Sequence, residues 1–286
     1  MSEERLLDEA LEILGKSGAS EAYAYILSNK ELLDEHSGQL YNFLYCLSAV
    51  IGAKDEALGW MREAIIDRDY WYRPEVFEDS DLDSIRDEAE FAECKKISDE
   101  RYREALKSSR TLCTWKEVKR AKLALALHGN QQNMDSDKGY WRYLEDEGYQ
   151  VEYVQSQTID SHMLYRWENN GETQLDGVIK QIPWESYDAH ALCGFSAGCN
   201  EILKTLANTD FKCEKIILQS PWIPIIDDAD SLDRLLTALC KVTMHIICGE
   251  NDDDCLPHAK KLAEAAASQG LDCKLEIIAG LGHGFA

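Results

Sequence analysis

The 286-residue chain contains no apolar run near the ~18–20 residues needed to span a bilayer. Its first residues, MSEERLLDEALEILGK, interleave acids with leucines and lack the basic start and unbroken apolar core of a secretion signal. A cytoplasmic location is the expectation. Cations are scarce: 30 Lys and Arg face 53 Asp and Glu, for a formal net charge of −23. Such a surface repels phosphate backbones and anionic headgroups, so neither nucleic acid nor membrane is expected as a partner. No C-x-x-C pair occurs among the ten cysteines, and this removes the usual spacing of a structural zinc site. Cys46, Cys193, Cys240 and Cys248 lie in apolar stretches and read as buried free thiols. No metal and no cofactor is expected.

A composition that is 45% hydrophobic and 29% charged can bury a core, and the length suffices for two domains. Residues 1–110 read as helices throughout. Leu6, Leu7, Ala10, Leu11 and Leu14 recur at helical spacing, with Gly15 as the expected stop. Ile13-Leu14-Gly15 followed by Ala22 resembles Val50-Ile51-Gly52 followed by Ala57 and Ala64, at a spacing close to that of a helical-hairpin repeat. The stretch YNFLYCLSAVIGAKDEALGWMREAI resembles a tetratricopeptide repeat, with about two copies visible. A further helix is expected over residues 79–94, carrying Leu82, Ile85 and Phe91. The basic run from Arg101 to Lys122 lacks interleaved aromatics and reads as a solvated connector.

Residues 111–286 change period. Short apolar runs at 122–127, 150–154, 189–193, 215–218, 243–248 and 274–278 alternate with amphipathic stretches near 134–147, 172–182, 197–207, 229–240 and 257–268. Regular β–α alternation predicts an α/β domain: a mostly parallel sheet of about six strands with helices on both faces. Its chemistry is then expected along the edge formed by the strand C-termini.

Four features fall at such strand ends. Gly194-Phe195-Ser196-Ala197-Gly198 lies between a strand and a helix, the setting for a strained turn that exposes a serine hydroxyl. The pentapeptide alone would arise by chance in about one such chain in ten. His128-Gly129-Asn130 ends the first main strand and offers either a close-approach backbone donor or an ordinary glycine turn. Gly249-Glu250-Asn251-Asp252-Asp253-Asp254 ends another, as an orienting carboxylate, a solvated acidic turn or a hard-cation site without calcium-loop spacing. Gly282-His283-Gly284 follows the last strand, with an imidazole between two glycines.

In the order Ser, Asp, His, each just past a strand, residues 118–286 resemble the α/β-hydrolase family, nearest its small carboxylesterases and dienelactone-hydrolase-like enzymes. The resemblance implies Ser196 as nucleophile, His283 as general base and acid, and Asp252 as the orienting carboxylate. It implies an oxyanion hole from the backbone of Ala197 and Asn130, with Gly194 and Gly198 flanking the turn. Asp252 is preferred to Asp253 and Asp254 because the family pattern is Gly, two residues, then Asp. The chain departs from that pattern in having Cys199 after the turn, in lacking the usual first two strands, and in continuing only three residues past His283.

The implied activity is hydrolysis of small or accessible carboxylic esters through an acyl-enzyme. A thioesterase, peptidase or acyltransferase would use the same groups, and an inactive partner-binding scaffold is the contrasting reading. Trp222, in the loop Ser220–Asp228, and Gln131 are candidate pocket residues, with Tyr165 and Trp167 nearby. The N-terminal helices are candidates for a protein partner or self-association.

Overall fold

The computed structural model describes residues 3–167 and 171–286. Two compact units emerge: Met1–Ser109 with Ile159–Leu164, and Arg110–Thr158 with Tyr165–Ala286.

The first unit is built on α1 (Glu3–Ser17), α2 (Ala19–Asn29), α3 (Gly38–Val50), α4 (Lys54–Arg62) and α5 (Ala89–Ser108). Helix α1 packs on α2, α2 on α3, and α3 on α4. Ala22, Ala57 and Ala64 are fully buried, as small residues at close helix crossings should be. Helix α1 runs through Gly15, and the chain breaks instead at Gly18, whose φ of 94° no side chain tolerates well. Leu6, Leu7 and Ala10 face the core, whereas Leu11 and Leu14 are exposed, so the buried stripe is narrower than the leucine count suggested. Ser37 caps α3 by accepting from the N–H groups of Gln39 and Leu40.

The single helix expected over 79–94 does not form. Short 3₁₀ turns at Pro74–Glu78 and Ser80–Leu82 precede α5, because the Asp79 side chain takes the Asp81 N–H and closes a local turn. Leu82, Ile85 and Phe91 are nonetheless buried. The presumed connector is also partly structural. Arg101 lies within α5, where its guanidinium binds the carbonyls of Ile65 and Tyr70 and the Asp69 carboxylate.

After α5 the chain forms β1 (Leu112–Cys113), β2 (Lys122–Leu127), α6 (Tyr143–Asp146), β3 (Tyr149–Gln155), β4 (Ile159–Ser161), β5 (Leu164–Tyr165), α7 (Gly171–Ile179), β6 (Ala189–Phe195), α8 (Ala197–Asn208), β7 (Lys215–Gln219), α9 (Ala229–Ala238), β8 (Thr243–Gly249), α10 (Leu256–Ser268) and β9 (Cys273–Ile278). Strand β4 belongs to the helical unit, where His162 N–H donates to Trp71 O at 2.9 Å and Arg73 N–H to Asp160 O at 3.1 Å.

The main sheet has seven strands in the order β1-β3-β2-β6-β7-β8-β9, all parallel except the edge strand β1. Alternate residues feed two cores. Leu123, Leu125, Leu127, Leu192, Ile216 and Leu218 meet α7, α8, α9 and α10 on one face. Ala124, Ala126, Ala191, Cys193 and Ile217 meet Trp141 and Leu144 on the other. That second cover is mostly turns: of the helix expected over 134–147 only α6 is helical. Small residues there let Trp141 fill the gap. All ten cysteines are free; Cys46, Cys193 and Cys248 are buried as expected, but Cys240 is exposed.

The strand order turns around at β2, where the chain moves outward to β3 and then returns to β6. Leu127 and Gly194 are partners across the β2–β6 pair, so the segments that leave these strands diverge at one point of the edge. A topological switch of this kind opens a crevice at the strand C-termini.

Candidate active site

Ser196 leaves β6 at that crevice, with φ 48° and ψ −119°. This backbone is costly for any residue with a side chain, by roughly 1–3 kcal/mol, and survives only if its surroundings enforce it. They do so on both sides. Ser196 N–H donates to Gln219 O at 3.0 Å, and its carbonyl accepts from Cys199 N–H at 3.1 Å and Trp222 N–H at 3.3 Å. Gly194 and Gly198 supply the clearance: a methyl on Gly194 would stand 2.8 Å from Cys199 N, and one on Gly198 2.5 Å from His128 O. A side chain at Gly194 would therefore push α8 off β6, and one at Gly198 would push it off the end of β2. Cys199 is buried and packs with its thiol toward Gln219 O.

The loop after β2 approaches the serine equally closely. A methyl on Gly129 would lie 2.8 Å from Phe195 Cδ1 and 3.2 Å from Ser196 Cβ. Its shape comes from groups that no local pattern in the chain links. His128 is buried; its Nδ1 meets Gly129 O at 2.6 Å and its Nε2 accepts from Ser156 N–H at 3.1 Å. Burial pushes this imidazole down to about 4, although the bond to Gly129 O opposes the shift, so the ring is neutral near pH 7. Trp167 stacks on it at 5.1 Å and donates its indole N–H to His128 O at 2.7 Å. Gln132 Oε1 accepts from Gly129 N–H at 2.8 Å.

Asn130 and Gln131 are exposed at this edge. Asn130 Oδ1 accepts from Trp167 N–H at 2.8 Å. Gln131 has a φ of 58°. Trp167 is buried structure rather than an open wall, while Trp222 is 42% exposed and held by its own backbone to Ser196.

Asp252 and His283 come together from different strand ends. Asp252 Oδ2 lies 3.0 Å from His283 Nδ1, and Asp252 Oδ1 accepts from Cys255 N–H at 3.1 Å. Asp252 is buried, whereas Asp253 and Asp254 point to solvent. Burial alone would push the Asp252 carboxyl up. The His283 hydrogen bond and charge, the Cys255 N–H and the Ser220 hydroxyl outweigh it, and the group titrates below the ordinary carboxylate range. His283 is about one-third exposed and tilts over the Phe195 ring at 5.1 Å.

Ser220, read from sequence only as the start of a pocket loop, anchors the histidine loop. At φ 41° its hydroxyl donates to Gly284 O at 3.0 Å. Asn251 N–H donates to Leu281 O at 2.9 Å, and Phe285 stacks between Tyr140 and Phe195 at 4.1 and 4.3 Å. These contacts hold the segment around His283 in place. Cys255 Sγ also lies 3.5 Å from His283 Nδ1, a neighbour the sequence pattern did not suggest.

The sheet order, the serine turn between β6 and α8, and the positions of the acidic and histidine loops define an α/β-hydrolase-like fold preceded by a helical region. Residues 2–106 match a family model described as the A/B hydrolase-like, N-terminal domain. An uncharacterized protein of Bacillus cereus ATCC 10987 is similar over 100% of this chain and 94% of its own, at 28% identity and a TM-score of 0.54. Esterase PE8 is similar over 58% of this chain and 86% of its own, at 21% identity and a TM-score of 0.46. A phospholipase/carboxylesterase from Dyadobacter fermentans DSM 18053 is similar over 63% and 91%, at 13% identity and a TM-score of 0.47. No curated protein matches the chain.

Proposed function

We propose that the protein is a serine hydrolase of small or accessible carboxylic esters. The observation that carries this reading is the buried Asp252 carboxylate 3.0 Å from His283 Nδ1, on the same sheet edge as the strained Ser196. Asp252 holds the imidazole with Nδ1 protonated, which makes Nε2 the atom that takes the serine proton. Ser196 Oγ then attacks the ester carbonyl, and the negative charge moves to the former carbonyl oxygen. The N–H of Ala197, at the start of α8, and that of Asn130 stabilise this oxyanion. His283 returns the proton to the leaving alcohol, and water repeats the sequence to release the acid.

Gly129 and Gly198 support the assignment, since both keep the two donor segments close to Ser196. The exposed Trp222 indole suits the acyl or alcohol group of a short ester, and Gln131 is a second exposed candidate for the same pocket. The same groups serve a thioester equally well, and a parallel thioester assay separates the two. The tetratricopeptide likeness of α1–α4 suits a protein-docking role for the helical unit, a proposal a pull-down with the full chain would test.

Labelling with a fluorophosphonate, followed by mass spectrometry of the modified peptide, tests the central reading. Modification at Ser196 that disappears in His283→Ala is the expected result. A folded protein that stays unlabelled and turns over no ester would exclude it.

A further inference from the structure

Asp252, Cys255 and His283 form more than a hydrogen-bonded pair with a bystander. A carboxylate oxygen, the Cys255 sulfur and an imidazole nitrogen all lie within 4.8 Å of one another. The pairwise distances are specific: 3.0 Å from Asp252 Oδ2 to His283 Nδ1, and 3.5 Å from Cys255 Sγ to the same nitrogen. Zinc–sulfur and zinc–nitrogen bonds of about 2.3 and 2.05 Å at a tetrahedral angle put S and N about 3.5 Å apart. The oxygen is slightly closer than that geometry asks, by an amount a small rotation of either side chain corrects.

We propose that this cluster is an inhibitory zinc site, in which the ion displaces the proton that links His283 to Asp252. The donor set chooses the metal. One thiol, one imidazole and one carboxylate suit a borderline-soft ion, whereas calcium and magnesium require several oxygens. Charge balances as well: Zn²⁺ meets the Asp252 carboxylate and a Cys255 thiolate, with His283 neutral, and the thiol proton leaves to solvent. Asp252 and Cys255 are buried and His283 is partly exposed, so the ion enters from the histidine side and a water completes its coordination.

The consequence for catalysis follows from which nitrogen is taken. Zinc on Nδ1 forces the ring proton onto Nε2, the atom that must accept the proton of Ser196. The base is then blocked without any change at the serine. This step presupposes His283 as the base, but the binding itself does not.

The experiment is zinc titration by calorimetry of the chelator-treated full-length wild type, Ser196→Ala and Cys255→Ser proteins, with ester hydrolysis followed in parallel at each zinc concentration. Wild type and Ser196→Ala should each take up about one equivalent, and Cys255→Ser should bind roughly tenfold more weakly or worse. Hydrolysis by the wild type should fall as the site fills. Cobalt(II) in place of zinc should give the wild type a near-ultraviolet thiolate charge-transfer band, a direct readout should Cys255→Ser fold poorly. No saturable zinc binding, no thiolate band, or binding unchanged by Cys255→Ser in folded protein would overturn the site. Binding that depends on Cys255 while hydrolysis continues would overturn the inhibition and place the fault in the assignment of His283. A protein that hydrolyses no ester but binds zinc through Cys255 would retain the site and lose the hydrolase reading.

Discussion

Gly249, the last residue of β8, passes so close to the histidine loop that a methyl on its α-carbon would stand 2.3 Å from Gly282 O and equally close to Leu281 O. Both obstacles are backbone, so neither can rotate aside. Gly249→Ala should displace the loop carrying His283 while leaving the β2–β6 crevice in place. A shift near 1 Å can cost about 10²-fold in rate, so kcat for a small ester should fall by roughly 10–100-fold. Steady-state kinetics, with circular dichroism as a check on folding, measures this; an unaltered kcat would show that the loop does not position the base.

Asp252 differs from its two neighbours in burial and in contact with His283. Asp252→Asn should lower kcat by on the order of 10⁴, because the amide no longer favours the right imidazole tautomer. Asp253→Asn and Asp254→Asn, at exposed positions, should stay within about twofold of wild type. Comparable losses in all three would point to the charge of the acidic turn rather than to one orienting carboxylate.

Strain at Ser196 gives a stability prediction opposed to activity. Ser196→Gly removes the side chain that makes φ 48° costly, whereas Ser196→Ala keeps a Cβ. Urea denaturation should find the glycine variant about 1 kcal/mol more stable than the alanine variant, with both inactive. Equal stabilities would mean that the turn is relaxed in solution.

His128 supplies a pH dependence. Its imidazole is pushed down to about 4 in the folded protein from an ordinary 6.5, chiefly by burial. Above pH 6.5 it is neutral in both folded and unfolded chains, and its contribution is fully present. As pH falls from 6.5 to 4 the unfolded chain takes up a proton that the native protein refuses, and stability drops by about 3 kcal/mol in total. Unfolding free energies measured across that window should fall less steeply in His128→Gln than in wild type. Parallel slopes would show that the ring can be protonated without loss of the fold.

The alternating period after residue 111, the glycine-flanked serine and the order of serine, acid and histidine were legible in the chain, because each is a local pattern with a local physical cause. Strands need apolar runs, and a tight turn needs small neighbours. The split of the segment at 79–94 into 3₁₀ turns was not legible, since a side chain of Asp79 competing for one N–H decides it. Nor was the short α6, where Trp141 fills the space a full helix would otherwise cover.

The site divides in the same way. Sequence alone determined which residue types stand at the strand ends and favoured Asp252 by spacing. Tertiary structure decided that Asp252 is the buried acid facing His283, that Ser220 and Phe285 hold the histidine loop, and that Cys255 stands at its Nδ1. Those relations join residues as far apart in the chain as Phe195 and Phe285, across separate strands. No local periodicity encodes a distance between two strand ends; it exists only once the sheet has set their order and register.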